Sequence, residues 1–389
     1  MSKDLDDDVI EDNKEIVEDI EEFDPASIVV YSRDWTIETM LSQIEKGNID
    51  LNPAYQRRNA WTDEKRSKLI ESIIIGYPVP EIVLAEDPIK KKAFVVIDGK
   101  QRLLTISGFL NPQIGYWDKH NLSTLTVKKN LNGVSFEELK QNPEFADDLR
   151  QFLNSSLRCT VITNFTKNDV LYDIFYRLNS GSVSLSTQEL RQVLNRGEFA
   201  NYLIAVTNTT QPIHKVMNLE EPDKRLRDIE VILRCLSMIM FGKTYKGNLK
   251  LFLDTSMKTI TDSWDIYEGK VESLYSRINE CIDGLAEIFE GYKKIGRKFT
   301  DDKPENRFNR VLLEVQLFFF VNLDFDLINE ETSKKFKEGF IKLCQEDVDF
   351  RSSIESSTKN IDNYRIRFSK FQDLINNSFN SELNVNPFK

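Results

Sequence analysis

The chain has 389 residues, 40% hydrophobic and 30% charged, with a formal net charge of −11. That composition is globular rather than disordered and leaves room for two or three domains at ~100–200 residues each. Four separated cysteines with no Cys-x-x-Cys pair argue against a zinc knuckle or redox motif, and the absence of an apolar run of ~18 residues argues against a membrane span.

The charge is uneven. Residues 1–24 carry twelve Asp and Glu against two Lys, whereas the rest holds 51 acids and 50 bases. Such a block is ordinarily solvated, so residues 1–24 are read as an acidic disordered tail and not as a signal peptide. A sharper reading makes the tail a competitor of nucleic acid for a basic surface on the body. Cys159, Cys235, Cys281 and Cys344 fit reduced, buried thiols of a cytoplasmic protein.

After the tail, Ile37, Met40, Leu41 and Ile44 fall at helical spacing, and Gly47-Asn48 closes that helix. Residues 49–53 read as extended and lead into Tyr55-Gln56-Arg57-Arg58. Thr62 is a helix cap, with Asp63 and Glu64 in the first turn, where the macrodipole favours acids. Leu69, Ile70, Ile73 and Ile74 give that helix a buried face, and Gly76-Tyr77-Pro78 ends it. Ile82 to Leu84 and Phe94 to Ile97 read as strands flanking an exposed loop. Residues 111–156 look polar and uneven, as an insertion would. A strand is expected over 157–163 and a helix over 168–179. Ser186-Thr187-Gln188-Glu189 is a capping box that opens another helix. From about 199 onward the pattern is helical throughout, and the Phe-rich run 312–320 reads as core. Trp61 is also expected in the core.

The stretch that bears chemistry is Asp98-Gly99-Lys100-Gln101-Arg102, between a strand and a helix. A strand running through a glycine turn into a helix presents backbone N–H groups at the helix start, an anion site. Lys100 and Arg102 add positive charge, and arginine can grip a phosphate bidentately. Asp98 can hold Mg²⁺ on a polyphosphate or orient water. Taken alone, Asp-Gly is also an ordinary turn with solvated bases beside it. The second basic cluster, Gln56, Arg57 and Arg58, favours a shared anion.

The order Tyr-Gln-Arg (55–57), Trp61, Leu-Ile-Glu-Ser-Ile (69–73), Gly-Tyr-Pro-Val-Pro (76–80), Ile-Asp-Gly-Lys-Gln-Arg-Leu (97–103), Phe-Tyr-Arg-Leu-Asn-Ser-Gly (175–181) and Leu-Ser-Thr-Gln-Glu-Leu-Arg (185–191) resembles the N-terminal domain of GmrSD-type restriction enzymes. The resemblance runs over roughly residues 35–255, where Arg225, Asp228, Arg234, Tyr245 and Phe252-Leu253 also fit. It implies a ParB/sulfiredoxin-like fold, binding and hydrolysis of a nucleoside triphosphate with Mg²⁺, and a role in defence against foreign DNA. Matched to the family's motifs are Asp98, Gly99, Gln101 and Arg102, then Gln56 and Arg57, then Arg177 and Asn179, then Glu189 and Arg191. Lys100 departs from the family's first glutamine, which bears on catalytic competence. Family nucleases carry a downstream HNH domain, which needs histidine as base and metal ligand. This chain has only His120 and His214, which argues against an HNH site. Glu138-Leu-Lys140 and Glu268-Gly-Lys270 are the Glu-x-Lys triplets a different nuclease would need, and chance accounts for them.

The expected architecture is therefore α+β: a ParB/sulfiredoxin-like nucleotide-binding domain over 25–200, then an all-α domain over 201–389. Asp98 and Arg102 are the candidate catalytic pair, with Asp98 as the metal ligand. Gln56, Arg57, Arg58, Gly99, Lys100, Gln101, Arg177, Asn179 and Arg191 are the candidate nucleotide contacts. Nucleotide, DNA and a separate nuclease subunit are the candidate partners, and an oligomer is compatible. The rival reading is a non-catalytic DNA-binding or regulatory adaptor with the same fold.

Overall fold

The computed structural model describes residues 28–51, 61–87, 90–115, 117, 120–165, 169–178, 186–300 and 302–388. The acidic segment 1–24 and the cluster Gln56, Arg57 and Arg58 lie outside them. Two units meet in sequence between Leu194 and Asn195. The first is α+β and the second is helical.

The α+β unit opens with a strand, Val29–Thr36 (β1), that the sequence pattern does not announce. It is a sheet edge with most side chains exposed, so no apolar alternation marks it. Thr36 then caps α1 (Ile37–Glu45), its hydroxyl accepting from the Thr39 N–H at 3.2 Å. β2 (Ile49–Asp50) follows. Thr62 caps α2 (Asp63–Ile74), with Ile70, Ile73 and Ile74 buried. β3 (Ile82–Glu86) and β4 (Phe94–Asp98) form the expected antiparallel pair. α3 (Lys100–Leu110), α4 (Pro112–Gly115), α5 (Phe136–Gln141) and α6 (Ala146–Asn154) lead to β5 (Ser156–Thr163), then α7 (Asp169–Leu178) and α8 (Thr187–Leu194).

The sheet order is β1-β5-β3-β4-β2. β5 runs antiparallel to β1 and parallel to β3, and β2 runs parallel to β4. The register between β3 and β4 shifts between Val83 and Leu84: Leu84 faces Val96, yet Val83 faces Asp98. Ile97 is thus the extra residue of a bulge, and the bulge re-aims the strand at the position before the glycine turn.

Residues 111–156 are not a polar insertion. Trp117, Leu122, Leu131, Leu139 and Phe152 from this stretch are buried in the same core as the sheet. Their apolar positions are too sparse to show either period, because the segment is built of short helices and turns. Glu71 of α2 ties it down: its carboxylate accepts the N–H groups of Val127 and Lys128 at 2.8 Å each and of Thr126 at 3.4 Å. Burial raises this carboxyl's pKa, and the three backbone donors outweigh that, leaving it below the usual range.

The helical unit comprises α9 (Glu198–Thr207), α10 (Pro212–Val216), α11 (Arg227–Phe241), α12 (Leu249–Asp262) and α13 (Trp264–Phe289), a two-residue hairpin β6 (Phe299–Thr300) and β7 (Lys303–Pro304), then α14 (Arg310–Asn322), α15 (Glu330–Glu346), α16 (Val348–Glu355) and α17 (Ile361–Phe379). α14 is buried from Val311 to Phe320 and packs on α11, α13 and α17, as a helix apolar nearly all round must. Its Phe residues join a dense aromatic core with Phe336, Phe340 and Phe371. All four cysteines are buried and unpaired. No described helix is long and apolar enough to cross a membrane.

Candidate functional site

The turn between β4 and α3 is built around Gly99, which sits at φ 91°, ψ 9° in the left-handed region. Two constraints select glycine there. The conformation disfavours any Cβ, and a Cβ would stand 2.5 Å from Ile82 Cδ1 and 3.0 Å from Arg102 Nη2. Gly99 is also the N-cap of α3, and no side chain caps that helix end. The helices opened by Thr36 and Thr62 satisfy first-turn N–H groups with a hydroxyl; α3 leaves them for an anion or water.

Arg102 lies one turn into α3. Its Nη2 donates to Asp98 Oδ2 at 2.9 Å and to the Glu81 carbonyl at 2.9 Å. Its Nε is buried without a partner. The pair therefore locks the strand end to the helix and spends one Asp98 oxygen on the guanidinium. Asp98 remains about a quarter exposed and Arg102 an eighth, at 26% and 12%.

Lys100, at the first position of α3, is 5% exposed. Burial lowers its ammonium pKa from the usual 10.5 to about 8, while Glu189 and Asp50 act in the opposite direction. Lys100 is thus a desolvated cation whose charge two acids favour. Gln101 has its side-chain oxygen buried without a partner.

Glu189 and Arg191 belong to α8, where the capping box forms as expected. Ser186 Oγ accepts from the Glu189 N–H at 3.1 Å, and the Glu189 carboxylate accepts from the Ser186 N–H. Every residue of α8 from Thr187 to Val193 is buried, although five of those seven are polar. Arg191 Nη1 donates to Gln188 Oε1 at 2.6 Å. The sequence singled out Arg191 but not Gln188, Gln192 or Asp50. Gln188 stands inside the Leu-Ser-Thr-Gln-Glu-Leu-Arg motif, so a signal was present. Nothing in the sequence marks Asp50 or Gln192.

The structure brings Asp98, Gly99, Lys100, Gln101 and Arg102 into one turn and sets Glu189 and Asp50 within electrostatic reach of it. Gln56, Arg57, Arg58 and Asn179 lie outside the described residues. Arg177 falls in the last turn of α7, with its side chain outside the description. Trp61, expected in the core, is half-buried with Lys65 Nζ 4.4 Å from its ring centre.

Residues 37–194 match the family model for the GmrSD restriction endonuclease N-terminal domain. This segment is similar to that family over its whole matched length. The match ends where the α+β unit ends, so Arg225, Asp228, Arg234, Tyr245 and Phe252-Leu253 fall beyond it. No curated protein and no solved structure matches the chain.

Those downstream residues have local partners. Arg227 Nε and Nη2 pair with Asp223 Oδ2 at 3.0 and 2.6 Å, so the basic stretch 224–227 is in part internally neutralised. His214 Nε2 meets Asp228 Oδ2 at 2.8 Å, both side chains fully buried. Glu138 is engaged in the Ser135 capping box, and Glu268 and Lys270 are exposed on α13. Among the described residues no three His, Cys, Asp or Glu side chains converge as a metal cage would require.

Proposed function

We propose that the α+β unit is a ParB/sulfiredoxin-like domain that binds a nucleoside triphosphate at the Asp98 turn, within a cytoplasmic restriction or phage-defence system. The observation that carries this reading is the uncapped start of α3 at Gly99, flanked by two mostly buried cations, Lys100 and Arg102. Backbone N–H groups, a desolvated ammonium and a guanidinium with an unsatisfied Nε form a donor set for phosphate oxygens. Gln56, Arg57, Arg58, Arg177, Asn179 and Arg191 are further proposed contacts, and Gln101 would orient an oxygen or the sugar. The GmrSD family match supports the restriction setting.

Mg²⁺ fits this site only as a companion of the triphosphate. Asp98 offers one carboxylate, with Oδ2 engaged by Arg102, so phosphates and water would complete the shell, as is usual for this ion. Bound there, it would neutralise developing phosphate charge. In this mechanism Lys100 and the start of α3 would hold the phosphates, Arg102 would stabilise the leaving charge, and Asp98 would hold the metal or a water. Nucleotide state then gates engagement of DNA or of a separate nuclease subunit.

The Asp98–Arg102 pair also supports the second reading, an adaptor that binds nucleotide without turnover, since the acid is already committed to the arginine. Phosphate release from ATP, GTP, CTP and UTP with Mg²⁺ separates the two. Turnover abolished in Asp98→Ala while binding persists supports the enzyme. Binding without turnover in the wild type supports the adaptor. No binding of any of the four removes the nucleotide reading.

A further inference from the structure

The helical unit carries an open cleft of about 540 Å³ between the chain reversals that follow α10 and α13. Lys215, Asn218, Leu219 and Glu220 form one wall, and residues 290–294 form the other. Arg297, 5% exposed, braces the two: its Nη1 donates to the Val216 and Ile295 carbonyls at 2.9 Å each. The Tyr292 hydroxyl donates to Asp283 Oδ1 at 2.8 Å, which fixes the ring, and Lys215 Nζ stands 4.6 Å from the ring centre. The ring therefore holds that ammonium in the cleft by a cation–π contact.

The charges of the cleft are unevenly settled. Glu290 is engaged twice, by Lys337 at 2.7 Å and by Lys294 at 3.5 Å. Among the described residues the Lys293 ammonium and the Glu220 carboxylate have no hydrogen-bond or ion-pair partner, and Lys215 has no carboxylate, only the ring. Lysines just beyond α13 suit the negative end of its dipole, but Lys215 belongs to α10 and Glu220 has the wrong sign for that role. Two uncompensated ammonium groups match a phosphate monoester, which carries about −1.5 to −2 near pH 7; a carboxylate would leave one of them unanswered. An open acid in the same cleft needs a donor, such as a hydroxyl. The volume lies within the ~300–1,000 Å³ of small-molecule sites. We propose that this cleft binds a phosphate monoester that also carries hydroxyl donors, with Lys215 and Lys293 on the phosphate and Glu220 on a hydroxyl. The site lies outside the α+β unit and does not depend on the reading of the Asp98 turn.

The test is acetylation footprinting of the lysines of the full chain, read by mass spectrometry at constant ionic strength, with inorganic phosphate or AMP as the probe. Lys215 and Lys293 should be protected by both probes, and by AMP at the lower concentration, while the exposed Lys334 and Lys335 of α15 stay reactive. Lys293→Gln, read at Lys215, should weaken AMP protection by about tenfold, the loss expected of one charge-assisted hydrogen bond. Glu220→Ala should weaken AMP by a similar factor without weakening phosphate. An oligonucleotide with a 5′ phosphate that protects both lysines, where its 5′-hydroxyl counterpart does not, would identify the source as a DNA end; protection by AMP alone would identify a free metabolite. The readout is local to the cleft, so nucleotide bound at the Asp98 turn neither mimics nor masks it. Absence of protection at both lysines overturns the proposal. So does a Lys293→Gln that melts lower and keeps wild-type protection of Lys215, the result expected if the lysine only answers the helix dipole. Equal protection by phosphate and AMP, unaffected by Glu220→Ala, also overturns it, since a bare anion patch would behave that way.

Discussion

Two Asp-centred clusters among the described residues, at Asp228 and at Asp98, are finished differently. In the helical unit, Asp228 Oδ2 accepts from the Asp223 N–H at 3.2 Å and meets His214 Nε2 at 2.8 Å, while Oδ1 accepts from the Ile229 N–H at 2.8 Å. His214 Nδ1 accepts the Gln211 N–H at 2.7 Å, which leaves the ring proton on Nε2. Every polar atom of that pair is used. At the Asp98 turn, in contrast, the helix start is uncapped, and Arg102 Nε and the Gln101 oxygen are buried with no partner. A His–Asp pair reads as catalytic by residue type, yet its closure makes it a structural knot. The Asp–Gly turn reads as an ordinary loop by residue type, yet it keeps unspent donors, and the proposed phosphate site rests on them. Each unsatisfied buried group costs about 1–3 kcal/mol, so such a deficit persists where something else supplies the partners.

The comparison can be broken first at its closed end. Asp228→Ala should lose roughly 3–5 kcal/mol in urea unfolding, because it strands the His214 ring and two backbone donors in the interior. Nucleotide affinity of the folded fraction should be unchanged, and a selective loss of binding would make that cluster part of the site. Glu71→Ala should lose about 2–3 kcal/mol by releasing three backbone donors. Because the Glu71 carboxyl is held low, its contribution is full above the unfolded value of about 4.3 and vanishes as pH falls through the folded one. The gap between wild type and mutant should therefore close in acid.

At the open end the sign reverses. Lys100→Met should stabilise the protein by on the order of 1–3 kcal/mol near pH 7, since it removes a desolvated charge. The folded lysine titrates at about 8 and the unfolded one at 10.5, so between those values the unfolded state binds more protons and wild-type stability rises with pH. The mutant's advantage should be full below pH 8 and shrink across that window in thermal melts. A destabilised Lys100→Met would place Lys100 with the structural knots.

What the sequence made legible follows the same division. Thr62, the Ser186 box, the β3–β4 pair and the Asp-Gly turn were readable because each depends on residues within a few positions. The edge strand β1 was not, since exposed edges carry no alternation. Residues 111–156 were not, because their burial comes from distant partners such as Glu71. The burial of α8 was invisible for another reason: a run of Thr, Gln, Glu, Arg and Gln normally means a solvated face, and only packing shows it to be interior.

The measurement that bears most directly on the Asp98 turn is calorimetric titration of the best-binding nucleoside triphosphate with Mg²⁺ at pH 8, in two buffers of different ionisation enthalpy. A triphosphate seated against Lys100 should raise the lysine's pKa from about 8. Binding should then take up close to half a proton, an uptake that disappears in Lys100→Met. Binding with no proton uptake would place the phosphates elsewhere, and no binding at all would contradict the account.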